Sequence, residues 1–179
     1  NKAYFNEDRI FITVNSNDLN TYLIEFDFVK LTYKIKTFDQ DSTIEKNSGA
    51  ATTSSFLIDT FLVTSHVAQK KIYLNIFNIE KEQLIQSIQI DKLNINNITS
   101  APVQKTGTFL SKTDVKEEDF KKFYKTALAN EISISGYIDD GKLFLSFAAP
   151  YKQFFNGTTL LSIVVSAAGT YAIKVKVND

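Results

Sequence analysis

The chain has 179 residues, twenty basic and twenty acidic side chains, 44% hydrophobic content, and no cysteine, methionine or tryptophan. That length is about one domain's worth and enough to bury a real core, and we take residues 1–179 as a single domain. Interspersed, cancelling charges exclude the basic footprint of a nucleic-acid binder; the missing cysteine excludes disulfides, thiolate metal sites and cysteine nucleophiles; and no apolar run is long enough for a transmembrane segment.

The first unit, residues 1–38, opens with a short strand and a turn carrying Asp8. Ile10, Ile12 and Val14 then share one face of a strand, and Tyr22, Ile24, Phe26 and Phe28 one face of the next. The phase slips afterwards to Leu31, Tyr33 and Ile35, which places a turn near Val29 and Lys30. The second unit, residues 54–90, repeats this pattern. Residues 5–30 lie over residues 56–81 without a gap, with seven of 26 pairs identical: Phe5/Phe56, Asp8/Asp59, Thr13/Thr64, Tyr22/Tyr73, Leu23/Leu74, Phe26/Phe77 and Lys30/Lys81. Its polar break at Glu80 to Gln83 matches the turn after Phe28. Four antiparallel strands in ~50 residues is the size of one propeller blade.

Residues 91–130 form an insertion between the second and third units. Segments 39–53 and 94–112 are rich in Ser, Thr, Asn and Gly and read as exposed loops. A helix is expected from Asp114 to Ala129, with Thr113 as N-cap and Asn130 as stop. Its acidic start and later lysines suit the helix dipole. Phe120, Phe123, Tyr124 and Leu128 fall on one face, which either docks a partner or covers the domain's own apolar surface. The third unit, residues 131–177, starts with an alternating strand, Glu131 to Ile138. A hairpin turn at Asp139-Asp140-Gly141 and the apolar positions Leu143, Leu145 and Phe147 follow. Asn156-Gly157 and Ala168-Gly169 then punctuate strands over 160–166 and 170–177.

The stretch from Arg9 to Asn17, followed by Tyr22 to Phe28 and Tyr33 to Phe38, resembles a blade of the bacterial β-propellers of the YVTN or TolB-like type. The resemblance covers about half the chain and departs from those repeats in lacking glycines after the fourth strand. It implies a mainly β fold of antiparallel four-stranded, propeller-like units with one inserted helix. Propellers close with about four to eight blades, and three units are found here. A longer protein of which this chain is a fragment, or two copies closing a six-bladed ring as a homo-oligomer, would resolve the shortfall; a two-sheet β-sandwich with a helix against one end is the alternative fold.

Sites of chemistry are sparse. His66, the one histidine, needs partners to act as a base or ligand and none to be a strand residue. Asp139 and Asp140, like Asp8 and Asp59, suit tight turns. Glu25 and Asp27 lie opposite Tyr22, Ile24, Phe26 and Phe28, where strand charges are usually solvated, unless both faces are covered and Lys34 or Lys36 pairs with them. Asn97 and Asn156 match the glycosylation pattern. No nucleotide-binding, zinc-protease or nucleophile-elbow motif is present, and no cofactor or metal is implied.

The expectation is therefore a non-catalytic binding scaffold of the bacterial cell envelope, extracytoplasmic, that recognises a protein or glycan partner through its loops and helical insertion. A polysaccharide-active hydrolase or lyase using His66 and strand-end acids is the first alternative. A sandwich adhesin or structural subunit, assembling through a sheet edge, is the second.

Overall fold

The computed structural model describes residues 1–16, 19–39, 52–94, 104–106, 112–114, 118–130, 132–139, 142–153 and 167–177. They form three antiparallel sheets and, among the described residues, one helix. Sheet 1 is an up-and-down meander of β1 (Lys2–Asn6), β2 (Arg9–Asn15), β3 (Asn20–Asp27) and β4 (Thr32–Asp39). Sheet 2 repeats it with β5 (Thr52–Ile58), β6 (Phe61–Ala68), β7 (Lys71–Asn78) and β8 (Gln83–Ile90). Then come β9 (Gln104–Thr106), β10 (Lys112–Asp114), the helix α1 (Glu118–Ala129), β11 (Ser133–Asp139), β12 (Lys142–Gln153) and β13 (Ala167–Val177). Sheet 3 has the order β10-β9-β13-β12-β11.

The sheets stack in chain order. Leu23, Phe11 and Phe38 of sheet 1 pack on Leu57, Leu62, Phe77 and Ile79 of sheet 2. On the other side of sheet 2, Val63, Val67, Ile72, Leu74, Ile76 and Ile90 pack against α1 and against Leu143, Leu145 and Phe147 of β12. We call the side of a sheet turned to the next sheet its leading face and the opposite side its trailing face. Sheet 2 is thus covered on both faces, and its strands read as nearly continuous buried runs, as expected of a central layer.

The internal repeat is real but changes phase. From Asn20 to Tyr33 the structural equivalent lies 51 residues on, since β3 and β7 begin and end at that spacing. In β1 and β2 it lies 52 residues on: Ile12 pairs with Ile24, whereas Asn75, 51 after Ile24, pairs with Thr64. The extra residue is taken back in the two-residue β6–β7 turn, where Gln69 and Lys70 both have positive φ, as a type I′ hairpin requires. Phe5/Phe56, Asp8/Asp59 and Thr13/Thr64 are therefore identities of sequence that are not equivalent in space. Tyr22/Tyr73, Leu23/Leu74, Phe26/Phe77 and Lys30/Lys81 are equivalent.

The turns after β3 and β7 share one device. Asp27 Oδ1 accepts the backbone N–H of Val29 (3.1 Å) and of Lys30 (2.9 Å); Asn78 Oδ1 accepts those of Glu80 (3.0 Å) and Lys81 (2.9 Å). Each turn ends on a left-handed residue, Leu31 (φ 52°) or Glu82 (φ 53°). Each also returns an N–H to the first turn of its sheet, Phe28 to Asp8 O and Ile79 to Thr60 O, both at 2.9 Å.

Several expectations change. The helix begins at Glu118, not Asp114, because Thr113 and Asp114 are committed to the β10–β9 ladder; Thr113 is no N-cap. Asn130 does end the helix, its backbone N–H and side-chain amide both donating to Thr126 O. The 94–112 segment, expected as loop, supplies β9 and the first residue of β10, and Thr52 and Thr53 belong to β5. Ala168-Gly169 lies inside β13 rather than at a turn. Asp140, Gly141, Asn97, Asn156, Gly157, the strand expected over 160–166 and the loop at 40–51 lie outside the described residues. Sheet 3 is closely packed: a Cβ on Gly136 would meet Phe144 O at 2.7 Å, so this strand position admits only glycine without a backbone shift.

Candidate interaction face

Alternation along sheet 1 sorts its side chains into two chemically distinct faces. The leading face carries Tyr4, Phe11, Thr13, Thr21, Leu23 and Phe38, and also the charges: Arg9, Glu25, Asp27, Lys34 and Lys36. The trailing face carries Phe5, Ile10, Ile12, Val14, Tyr22, Ile24, Phe26, Tyr33 and Ile35. Between its two ends it has no charged side chain. It is also the open face, with Tyr33 66% and Ile35 58% exposed. The apolar stripe read from the sequence is therefore the outward one, which reverses the usual orientation of a one-sided sheet.

Glu25 and Lys36 are held at the seam with sheet 2. Glu25, 13% exposed, receives Arg9 Nη1 at 2.9 Å, and Lys36, 15% exposed, lies 3.9 Å away. Lys36 Nζ also donates to Ile79 O (2.7 Å) and sits 3.7 Å from Glu82. Glu25 is thus partnered as a largely buried strand charge requires, because it lies on the covered face of the sheet. A small hollow beside this seam is lined by Arg9, Glu25, Asp27, Lys30 and Lys34. Arg9–Glu25 and Lys30–Asp27 (3.6 Å) already pair there, leaving little field for a charged ligand. The backbone N–H of Lys30, followed by its ammonium, holds the Asp27 carboxyl below its ordinary pKa.

The same seam buries polar groups of sheet 2's trailing face. Ser55, Thr64 and Asn75 are neighbours across β5, β6 and β7, and Thr53, His66 and Tyr73 form the adjacent row. Thr53 Oγ1 lies 3.3 Å from His66 Nδ1. Ser55 Oγ, Thr64 Oγ1, His66 Nε2 and both amide atoms of Asn75 have no hydrogen-bond partner among the described residues. Each such group costs ~1–3 kcal/mol of desolvation unless internal water meets it. Burial holds the His66 imidazole below its ordinary pKa, so it is neutral in the fold. Burial likewise pushes the Tyr4 phenol up, against the lowering effect of the Leu57 backbone and the Thr13 hydroxyl.

The helix face expected as a partner site is turned inward instead. Phe120 and Phe123 are buried in the core between sheets 2 and 3, and Tyr124 and Leu128 pack at its margin. Tyr124 Oη accepts the backbone N–H of Lys70 at 2.9 Å, and Thr52 Oγ1 donates to Ala127 O at 2.8 Å. These four residues cover the molecule's own apolar surface, because the leading face of sheet 2 needs a lid that sheet 3 only partly supplies. His66 and Asp139 are not brought together: His66 lies on the trailing side of sheet 2, while β11 packs with the leading side. Among the described residues, no group of three His, Asp or Glu side chains is placed to hold a metal ion. No helix of the described residues is long and apolar enough to cross a membrane.

The site that sequence reading missed is the trailing face of sheet 1. Its signal was present in the alternation of Tyr22, Ile24, Phe26, Tyr33 and Ile35. Alternation identifies a face without saying which side is covered. No family model, curated protein or solved structure matches the chain.

Proposed function

We propose that this chain is a non-catalytic interaction scaffold of the bacterial cell envelope, extracytoplasmic, made of propeller-like sheets stacked leading face on trailing face, and that it receives a protein partner on the trailing face of sheet 1. One observation carries this reading: between its two ends that face is apolar and uncharged across four strands, yet open, while Arg9, Glu25, Asp27, Lys34 and Lys36 of the same strands lie on the opposite face. An extended apolar patch on a folded surface marks an interaction site. A glycan would need a denser set of polar groups than Tyr22, Tyr33 and Thr37 supply among the aliphatic and phenylalanine side chains of this face, so a protein surface suits it better. The inward placement of Phe120, Phe123, Tyr124 and Leu128 moves the expected contact from the helix to the sheet. The resemblance to YVTN or TolB-like blades is the support for the compartment and for the stacked-blade architecture.

The chain lacks cysteine, so single introduced thiols report local access. At dilutions where the protein is monomeric, Ile24→Cys, half-buried on the open face, should react with a soluble maleimide from the folded state, and Leu23→Cys only through unfolding. Equal protection of both would mean that the chain itself covers this face, and the reading would fall. The hydrolase alternative requires turnover of a polysaccharide that is lost in His66→Gln.

A further inference from the structure

We infer that the occupant of this face is a second copy of the chain, packed trailing face on trailing face about a two-fold axis. The inference rests on the reading of sheet 1 as an interaction surface and adds the identity of the partner.

Sheet 2 supplies the internal comparison. Its trailing face, covered by sheet 1, bears Thr64, His66, Asn75 and Ser87 where sheet 1 bears Ile12, Val14, Ile24 and Ile35. The open face is thus more apolar than its covered counterpart. The same holds at the turn, where sheet 1 has Val29 and Leu31, both exposed, and sheet 2 has Glu80 and Glu82 at the same 51-residue spacing. If sheet 1's trailing face were meant for water, its apolar character should fall below that of sheet 2, not rise above it.

Polarity also selects among the surfaces of the molecule itself. The stacking order within the chain would put the leading face of sheet 3 on this surface, but the described part of that face bears Ser133, Ser135 and Ser146 around the stacked Tyr137–Phe144 pair. That is a poor match for a face of isoleucine and aromatic residues. The trailing face of sheet 1 matches itself, and the absence of charge between its two ends means that a two-fold axis near its centre sets no like charges against each other. Four strands ~4.8 Å apart and about seven residues long, at ~3.3 Å per residue, give a footprint of roughly 450 Å² per copy. Protruding side chains and the turn at Phe28, Val29 and Leu31 carry this toward the ~600–800 Å² per partner at which stable interfaces begin.

The test is light scattering over a concentration series, joined to cross-linking of the Ile24→Cys variant with a short bis-maleimide. Ile24 lies on a central strand, so a two-fold axis through this face brings the two copies of the residue within reach. The expected results are a species of twice 20.2 kDa, a covalent dimer of the Ile24→Cys variant, and at least ~100-fold weaker association in Ile24→Asp and in the more exposed Tyr33→Lys. A dimer that neither cross-links nor responds to either charged variant would overturn the inference, as would a head-to-tail ring that joins sheet 1 to the partner's sheet 3. A monomer at all concentrations whose introduced thiol reacts freely would sink the second copy and leave the interaction face for another protein. A monomer with that thiol protected would sink both.

Discussion

Sheets 1 and 2 are two copies of one structural unit in two surroundings. They share strand order, the oxygen-capped turn at Asp27 or Asn78, and the left-handed residue that closes it. They differ in what lies against their trailing faces. Phe26 and Phe77 are equivalent, yet Phe26 is 37% exposed and Phe77 5%. The local device of a repeat therefore determines where strands run and turn, while burial is decided by the neighbour. A side chain identical in type and position can be structural in one copy and available in the other.

The largest expected effect tests that statement directly. Phe77→Ala should cost ~3–4 kcal/mol, because a cavity opens between sheets 1 and 2. Phe26→Ala should cost less than ~1 kcal/mol in the monomer, because little is removed from a packed environment. Urea denaturation at dilutions below association compares the two. Equal losses would break the comparison, since they would mean that Phe26 is also packed.

A second, smaller contrast concerns Asn75 and its equivalent Ile24. Asn75 is buried with neither amide atom hydrogen-bonded among the described residues, so Asn75→Leu should raise stability by ~1–2 kcal/mol. Ile24→Asn should leave monomer stability within ~0.5 kcal/mol and weaken association. A destabilised Asn75→Leu would show that the amide is satisfied by internal water and contributes to the seam.

These contrasts also explain what could be read from the sequence. Tyr22, Leu23, Phe26 and Lys30 recur at the correct spacing, because β3 and β7 have equal length and the same turn follows each. The three matches in β1 and β2 are out of register by one residue, because a gap-free alignment cannot see the residue lost at Gln69 and Lys70. The Asp27/Asn78 correspondence escapes an identity count although the same oxygen does the same work. Alternation located the apolar stripe of sheet 1 but not its orientation: Phe11, Leu23 and Phe38 line one face, while isoleucines and aromatics line the other, so either side could have been the core. The start of α1 is not legible in the sequence, because charge order along 114–125 suits a helix dipole equally well a turn earlier. The strand pairing of 104–106 with β13 depends on contacts over 60 residues away in the chain, which no local pattern encodes.

The third prediction uses the histidine of the seam. The folded-state pKa of His66 is lowered by burial, so the unfolded chain binds the proton more readily. Stability should be flat above about pH 7.5 and fall as pH drops through the unfolded value near 6.5, with a slope of up to about 1.4 kcal/mol per pH unit until the folded pKa is reached. Urea midpoints at pH 7.5 and 5.5 measure the effect, and His66→Gln should remove it. Sheet 1 should come away first, since the charged ring would lie under it; hydrogen exchange that rises in sheet 3 before sheet 1 would contradict that placement.

The smallest expected effect separates the two equivalent turns by acid alone. Asp27 has a folded-state pKa below its ordinary value because its carboxylate accepts the N–H groups of Lys30 and Val29, so its contribution is complete above about pH 4 and is lost as pH falls through the depressed value. Asn78 makes the same bonds with an amide oxygen that has no proton to gain in this range. Amide shifts of Val29 and Lys30 should therefore move together on acidification while those of Glu80 and Lys81 stay in place, and Asp27→Asn should make the two turns behave alike. If Val29 and Lys30 fail to move, the carboxylate is not what closes the turn, and the left-handed residues Leu31 and Glu82 would have to hold both turns by backbone geometry alone.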